Sequence, residues 1–347
     1  MDAPKKLAFT YGRRFGVEIE LNSFDNRNFK DNPLAKGELP KGIEYVGQKV
    51  LGLLGEEVEI KKWHLTHHNA GWVIKPDSSC GMEVCSPPSR GWKGLKSLLK
   101  VVEGIGKDKK IPKDNRCSLH VHVEIEDFNN DQLESFLAHY IKSEMMFMDL
   151  VPPDRKRNRY CQVIGLSDIV TVEEKFNYST LLKKLGTHKY LTFNVYHYKR
   201  GNRKTVEFRI IGNEGCFDPY LIKNWVRFIV HFVEMCKRRP SPPPYEPGDP
   251  WSGLAWLDPE QVFDLLGFNG DHPLSTGLEQ TRNWLLARMH ANMMSDLPGV
   301  WSKEAKAPAY QQVVDMAHRF GLGPDDLVQH LAPTDSPQAL YAEQYRI

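Results

Sequence analysis

The chain has 347 residues, 41% hydrophobic and 11% aromatic, enough for one large core or a domain with a smaller companion, and wholesale disorder is excluded. A formal net charge of +2 provides no bulk attraction to nucleic acid or to an anionic membrane surface, and no apolar run approaches the roughly 18 residues that span a bilayer. Six cysteines without Cys-x-x-Cys spacing read as reduced thiols of a cytoplasmic protein, and no apolar stretch of a secretory signal follows Met1-Asp-Ala-Pro-Lys-Lys6.

Residues 1–15 form a basic lead-in. Gly16–Leu21 then alternates, with Val17, Ile19 and Leu21 on one parity and Glu18 and Glu20 on the other, the period of a half-buried strand. A polar loop leads to a helix over Glu44–Leu54. The three histidines of Trp63–His68 fit neither one strand face nor a helical pair, so they read as loop or substrate-facing surface. Trp72–Lys75 and Met82–Val84 form a hairpin with Asp77 at its tip and Glu83 on its returning strand. Asp77 reads equally well as a turn residue that caps its own backbone. Leu95, Leu98, Leu99, Val102 and Ile105 give Gly94–Ile105 the apolar stripe of a helix packed on the sheet.

Cys117–Ile125 alternates again: Leu119, Val121, Val123 and Ile125 face one way, His120, His122 and Glu124 the other. A long helix over Asp131–Asp149, capped by Asn130 or Asp131, buries Met145, Met146 and Met148 as core. A basic run follows, with Arg155, Arg157 and Arg159, either a solvated face or an anion clamp. Leu191–Val195 and Thr205–Ile210 are further alternating strands, the first raising Thr192 and Asn194, the second Glu207 and Arg209. Pro219–Glu234 is a strongly apolar helix. Arg238–Pro250 is a stiff proline-rich linker. Beyond it, residues 258–266, 280–294, 309–320 and 325–331 read as short helices without an ionisable constellation.

Three strands far apart in sequence thus share one design, an apolar under-face with an ionisable i, i+2 pair above it. Side chains at that spacing stand about 7 Å apart. If the strands are sheet neighbours, several carboxylates face one another. Each pair at about 7 Å repels by roughly 2 kcal/mol at an effective dielectric of about 20. Cations must neutralise such a cluster, and divalent metal is the economical answer.

In order along the chain stand Phe15–Glu20, Trp72-x-x-Lys75-x-Asp77-x-Ser79, Glu83–Pro87, Cys117-x-Leu-His-Val-His122, Arg155-x-x-Asn158-x-Tyr-Cys161, Asn194 and Val206-Glu-Phe-Arg209. This ordered set, over roughly residues 14–235, resembles the putative amidoligase family of glutamine synthetase-like carboxylate–amine ligases. The resemblance implies an α+β fold, an antiparallel sheet of glutamine synthetase type with helices on one face, plus a small C-terminal helical appendage. The domains would be 1–237 (catalytic), 238–250 (linker) and 251–347 (helical, a candidate surface for a protein partner).

The resemblance also implies an ATP-dependent ligase that forms an amide or isopeptide bond through an acyl phosphate, with ATP and Mg2+ (or Mn2+) as cofactors. Its metal ligands would be Glu18, Glu20, Glu83, His120 and Glu207. Arg209, Arg155 and Arg159 would contact phosphate, with Asp77 as a further catalytic residue, and His122, Asn158 and Asn194 would face nucleotide or substrate. A carboxylate substrate and an amine donor, whether amino acid, peptide, protein or modified nucleotide, would be the partners. Ser78 and Ser118 stand where the family usually has glycine, so turn and strand entry are expected to differ there. Loops around residues 26–33 and 162–178 are candidate covers that exclude water from the acyl phosphate. A metal-dependent hydrolase on the same Glu/His face and an inert metal-stabilised binding module are the alternatives.

Overall fold

The computed structural model describes residues 12–25, 39–55, 58–60, 71–77, 79–113, 116–156, 158–164, 178–199, 201, 204–239, 257–270, 272, 275, 277–294 and 303–331. Its elements are β1 (Arg14–Asn22), α1 (Ile43–Leu54), β2 (Val58–Ile60), β3 (Trp72–Pro76), β4 (Gly81–Cys85), β5 (Ser89–Arg90), α2 (Gly91–Lys107), β6 (Leu119–Glu124), α3 (Asn130–Asp149), α4 (Pro153–Lys156), α5 (Tyr178–Thr187), β7 (Phe193–Asn194), α6 (Tyr196–Lys199), β8 (Thr205–Phe208), α7 (Glu214–Phe217), α8 (Pro219–Arg238), α9 (Pro259–Leu265), α10 (Glu279–Met294), α11 (Lys303–Arg319) and α12 (Pro324–Gln329). They fall into two compact units. One, the sheet unit, comprises the described residues of 12–124 and 197–226; the other, the helical unit, comprises those of 125–196 and 227–331.

The sheet unit has strand order β2-β3-β4-β1-β6-β8, with β5 also on β1. All pairs are antiparallel except β2 with β3, which run parallel, so the expected antiparallel sheet has one parallel edge. Register carries the alternation of the sequence across the sheet. Ile74, Val84, Ile19 and Leu119 make one cross-strand row, and Val17, Val121 and Phe208 another. All seven are fully or almost fully buried. Helices cover this apolar face. A Cβ added at Gly47 of α1 would meet Ile60 and Ile74, and one at Gly215 of α7 would meet Leu119. Trp225 of α8 meets Phe208 edge-on, ring centroids 6.5 Å apart. The expected α+β arrangement with helices on one sheet face is what this unit shows.

Gly81 opens β4 at φ 146°, and a Cβ there would lie 2.5 Å from the backbone nitrogen of Ser23. Only glycine lets the hairpin lie this close to the end of β1.

In the helical unit, Phe136, Tyr140 and Phe147 of α3 interleave with Phe228 and Phe232 of α8 and with Phe193, with Tyr140 and Phe193 centroids 4.4 Å apart. Met146 and Met148 are buried there, as expected, and Met145 is half-buried. The cap of α3 is Asn129, one residue before the expected candidates. Its side chain accepts from the Gln132 amide while Gln132 answers to the Asn129 N–H, a reciprocal capping box. The helices beyond the proline-rich stretch belong to this same unit. The Leu257 N–H donates to the Lys142 carbonyl (2.8 Å) and Arg288 Nε to the Leu150 carbonyl (2.9 Å).

Helix α11 begins at Lys303, six residues before the expected start, and runs through Pro308. Pro308, the sixth residue of the helix, cannot donate to the Glu304 carbonyl, yet the helix continues through it. The expected strand over Leu191–Val195 is only two residues long, because the Thr192 N–H turns to the carbonyl of Gln162 (2.9 Å). The six cysteines are free and buried. Among the described residues no helix is long and apolar enough to cross a membrane. Most of the proline-rich linker, the Trp63–His68 histidines, and most of the two expected cover loops lie outside the described residues.

Burial of His139 and His231 should make the stability of the helical unit depend on pH. Burial lowers His231 to about 4, against the opposing pull of the Leu266 carbonyl that meets its Nε2 at 2.8 Å, and burial lowers His139 to about 4 as well. Each is neutral when folded and takes up a proton below about 6.5 when unfolded, so its stabilising contribution is complete above about pH 6.5 and lost as pH falls towards 4. Between pH 6.5 and 5 the loss per histidine is on the order of 2 kcal/mol. His231→Gln removes one titration, and its unfolding free energy should therefore fall less from pH 7 to pH 5 than that of the wild type, as read by urea unfolding. Equal losses would contradict this assignment.

Candidate metal and phosphate site

The polar face of the same sheet collects the ionisable residues, and register decides which meet. Lys75 pairs with Glu83, and Glu83 with Glu20; Glu18 pairs with His120, and His122 with Glu207. Glu18, Glu20, Asp77, Glu83, His120, His122, Glu207 and Arg209 are therefore gathered on one face of the sheet unit. His120 and His122 are 2% and 5% exposed, so this face lies well below solvent.

Three groups of side chains place a ligand atom each within 4.8 Å of one another: Glu18, His122 and Glu207; Glu18, Glu83 and Cys85; Glu20, Asp77 and Cys80. The first set offers two carboxylates and an imidazole, donors suited to a hard or borderline divalent cation such as Mg2+ or Mn2+. Both ring nitrogens of His122 are buried without a hydrogen bond, a cost that native cores avoid. A cation held between these groups would give the ring a partner, so the residues fit a divalent ion.

Charge on this face is unevenly distributed. Burial raises the Glu18 carboxyl, but His122, Lys75 and His120 outweigh it and hold Glu18 well below the usual range. Burial likewise works against Glu207, and Arg209, then the two histidines, bring it down to about 2. Glu20 goes the other way, pushed up by burial. Lys75 lies 2.5 Å from Glu83, both side chains under one-tenth exposed. Burial opposes its charge, but Glu83 and Glu18 raise its pKa well above the ordinary lysine value. Asp77 is the tip of the β3–β4 hairpin. Its Oδ1 accepts from the Ser79 and Cys80 amides (2.7 and 3.1 Å) and the Ser79 hydroxyl. Burial raises it, and these hydrogen bonds with one from Glu83 bring it down to about 2. Asp77 caps its own turn and also lies within the donor set of Glu20 and Cys80.

Arg209 donates to Glu207 (2.5 Å) from two residues along the chain. Lys75, Cys80, Cys85 and His197 stand at this face without a role assigned from the sequence, and Ser118 stands out in the sequence only as a replacement for glycine. Lys75 had only its place in a motif as a signal. His197 of α6, its ring centroid 6.0 Å from that of His122, had none.

The remaining expected residues belong to the helical unit. Arg155 is buried in the short helix α4. Asn158 accepts from the Tyr160 amide (2.8 Å), and Arg159 is exposed, stacked on Tyr160 with its Nη2 2.9 Å from that hydroxyl. Asn194 is fully buried, accepting from the Tyr196 amide (3.1 Å). Arg157 lies outside the described residues.

A family model described as "Putative amidoligase enzyme" matches residues 11–233. No curated protein sequence matches the chain. Solved structures that match include a bifunctional glutathione synthetase from Pasteurella multocida, at 11% identity and a TM-score of 0.36, with 96% of this chain and 51% of that one covered. Another is a glutamate–cysteine ligase from Francisella tularensis, solved in complex with AMP, at 11% identity and a TM-score of 0.38, with 96% and 89% covered. The chain spans about half the length of the first.

The Lys75–Glu83 pair gives a direct test of this electrostatic account. Burial and the carboxylates Glu18, Asp77 and Glu20 push Glu83 up against the pull of Lys75. Lys75→Met therefore leaves a carboxyl that must hold a proton to stay buried, and the variant should lose stability as pH rises. Urea unfolding in excess chelator should show that loss. An unchanged midpoint would mean that Glu83 does not depend on Lys75.

Proposed function

Because the chain belongs to the putative amidoligase family, we propose that it is an ATP-dependent carboxylate–amine ligase working from the polar face of its sheet. The observation that carries this reading is the set of Glu18, His122 and Glu207, with Arg209 held against Glu207 beside it. A divalent cation bound there supplies charge neutralisation for phosphate oxygens.

The chemistry runs in two steps. A carboxylate oxygen of the acyl substrate attacks the γ-phosphorus of ATP; the new O–P bond forms as the bond to the β,γ-bridging oxygen breaks, and ADP leaves. The amine nitrogen then attacks the acyl carbon; the C–N bond forms as the acyl C–O bond to phosphate breaks, and the departing inorganic phosphate takes up the proton that the amine loses. During the first step, charge spreads over the equatorial oxygens of the transferring group, and the planar guanidinium of Arg209 offers a two-donor grip on them. Glu207 keeps that guanidinium on the polar face, and Lys75 holds the Glu83 side of the cluster electrically balanced. Glu20 and Glu83 extend the cation-binding face, and Asp77 joins Glu20 there.

The test is incubation with ATP, Mg2+ and a pool of amino acids and amines, followed by mass spectrometry for new amides and a count of ADP. Stoichiometric ADP and amide are expected. Arg209→Lys keeps the charge but loses the fork, and ligation should fall about 10²-fold, a few kcal/mol of transition-state stabilisation. Full ATP-dependent ligation by Arg209→Lys would remove the arginine from the phosphate role. Amide hydrolysis that needs metal but no ATP would favour the metallohydrolase instead.

A further inference from the structure

The net charge of +2 hides an uneven distribution. Residues 90–113 carry eight basic and two acidic side chains, a net of +6, so the rest of the chain is net −4. Helix α2 displays the first part of that charge as a ridge. At about 3.6 residues per turn, Trp92, Lys93, Lys96, Lys100, Glu103 and Lys107 fall within about 100° of arc, and all of them are exposed. Lys109, Lys110 and Lys113, also exposed, continue the positive charge past the helix end. The opposite side of α2 is Leu95, Leu98, Val101, Val102 and Ile105, all buried in the sheet unit. There the packing is close: a Cβ at Gly104 would meet Leu53 of α1, and one at Gly106 the backbone of Phe217.

The acidic residues of this stretch are already engaged. Glu103 pairs with Lys107 (2.5 Å) and Asp108 with Lys49 (3.0 Å). Lys93, Lys96, Lys100 and Lys109 have no acidic partner among the described residues. A helix face that only meets water usually intersperses both signs, whereas like charges three and four residues apart repel. Trp92, at the head of the ridge, is 45% exposed. Unpaired lysines in a row, headed by an accessible indole, complement a chain of phosphates that carries aromatic bases.

We propose that this ridge is a docking surface for single-stranded nucleic acid, its lysines tracking the phosphodiester backbone and Trp92 stacking on a base. Three features select that partner. The ridge holds lysines and no arginine; lysine neutralises phosphate as a point charge, while the carboxylates of an acidic peptide are gripped best by a guanidinium fork. Fourteen residues separate Lys93 from Lys107, about 21 Å of helix, room for on the order of four to six nucleotides. The apolar side of α2 is spent in the core, so the helix cannot sink into a lipid surface as an amphipathic anchor does. Backbone contacts of this kind carry no sequence preference. The proposal goes beyond the ligase reading and does not depend on it.

Fluorescence anisotropy of a labelled oligothymidine of about 20 nucleotides, titrated with the full chain, tests it. Contacts from the four unpaired lysines predict that log K falls against log salt with a slope of about −3, a loss of about 50-fold between about 50 and about 200 mM. Lys93→Glu/Lys96→Glu/Lys100→Glu should weaken binding at least about tenfold and flatten the slope. Trp92→Ala should weaken it about tenfold and leave the slope unchanged. The substituted side chains are exposed, so the variants should melt with the wild type. If a variant does not fold, the wild-type salt slope still decides, since a flat one excludes phosphate contacts. No binding by the wild type at low salt, or equal binding by the lysine variant, would overturn the proposal. So would tighter binding of polyglutamate or of phosphatidylserine vesicles, which would assign the ridge to an acidic protein or to a membrane surface.

Discussion

Mutual repulsion among buried carboxylates is the constraint around which this sheet is built. Glu18, Glu20, Asp77, Glu83 and Glu207 share one side of it, and all are largely or wholly withdrawn from water. The fixed cations among them are Lys75, paired with Glu83, and Arg209, paired with Glu207. Those two pairs explain why Glu207 stays charged and why Lys75 keeps its proton. Histidine nitrogens also stand 3.4 to 3.7 Å from Glu18 and Glu20. A divalent cation is the physically economical way to balance the remainder, and the orphaned ring of His122 marks where it fits.

Such a face can exist only because the other side is secured. Side chains alternate strictly along a strand, so a one-residue slip would bring every carboxylate onto the core and every valine into the site. The apolar rows through Ile19 and Val17 make that slip costly, and α1, α7 and Trp225 of α8 cover them. Packing on one face thus fixes the geometry on the other to within the reach of a carboxylate.

Much of this was legible in the residues. Period-two alternation placed Glu18 with Glu20, His120 with His122, and Glu207 with Arg209 on common faces before any neighbour was known. What alternation cannot supply is cross-strand register, and register decides partners. Opposite Glu83 stands Lys75; opposite Glu207 stands His122; Ser118 sits where it can bridge His120 to Glu20. The Leu191–Val195 segment alternates like a strand but is mostly irregular, because its backbone bonds to Gln162 instead of continuing a ladder. The arginine-rich run similarly hid the helical turn over Pro153–Lys156, too short for any periodicity to show.

The claim on which the rest stands is that this carboxylate face takes a divalent cation in the folded protein. Cation-linked thermal stability tests it most directly, since an ion bound only by the native state raises the melting temperature with its concentration, by about 2.7 kcal/mol of stabilisation at a hundredfold excess over its dissociation constant. The account predicts that the melting temperature in chelator rises and saturates as Mn2+ is added, and that Glu18→Gln abolishes the rise. No shift in the wild type, or an equal shift in Glu18→Gln, would contradict it.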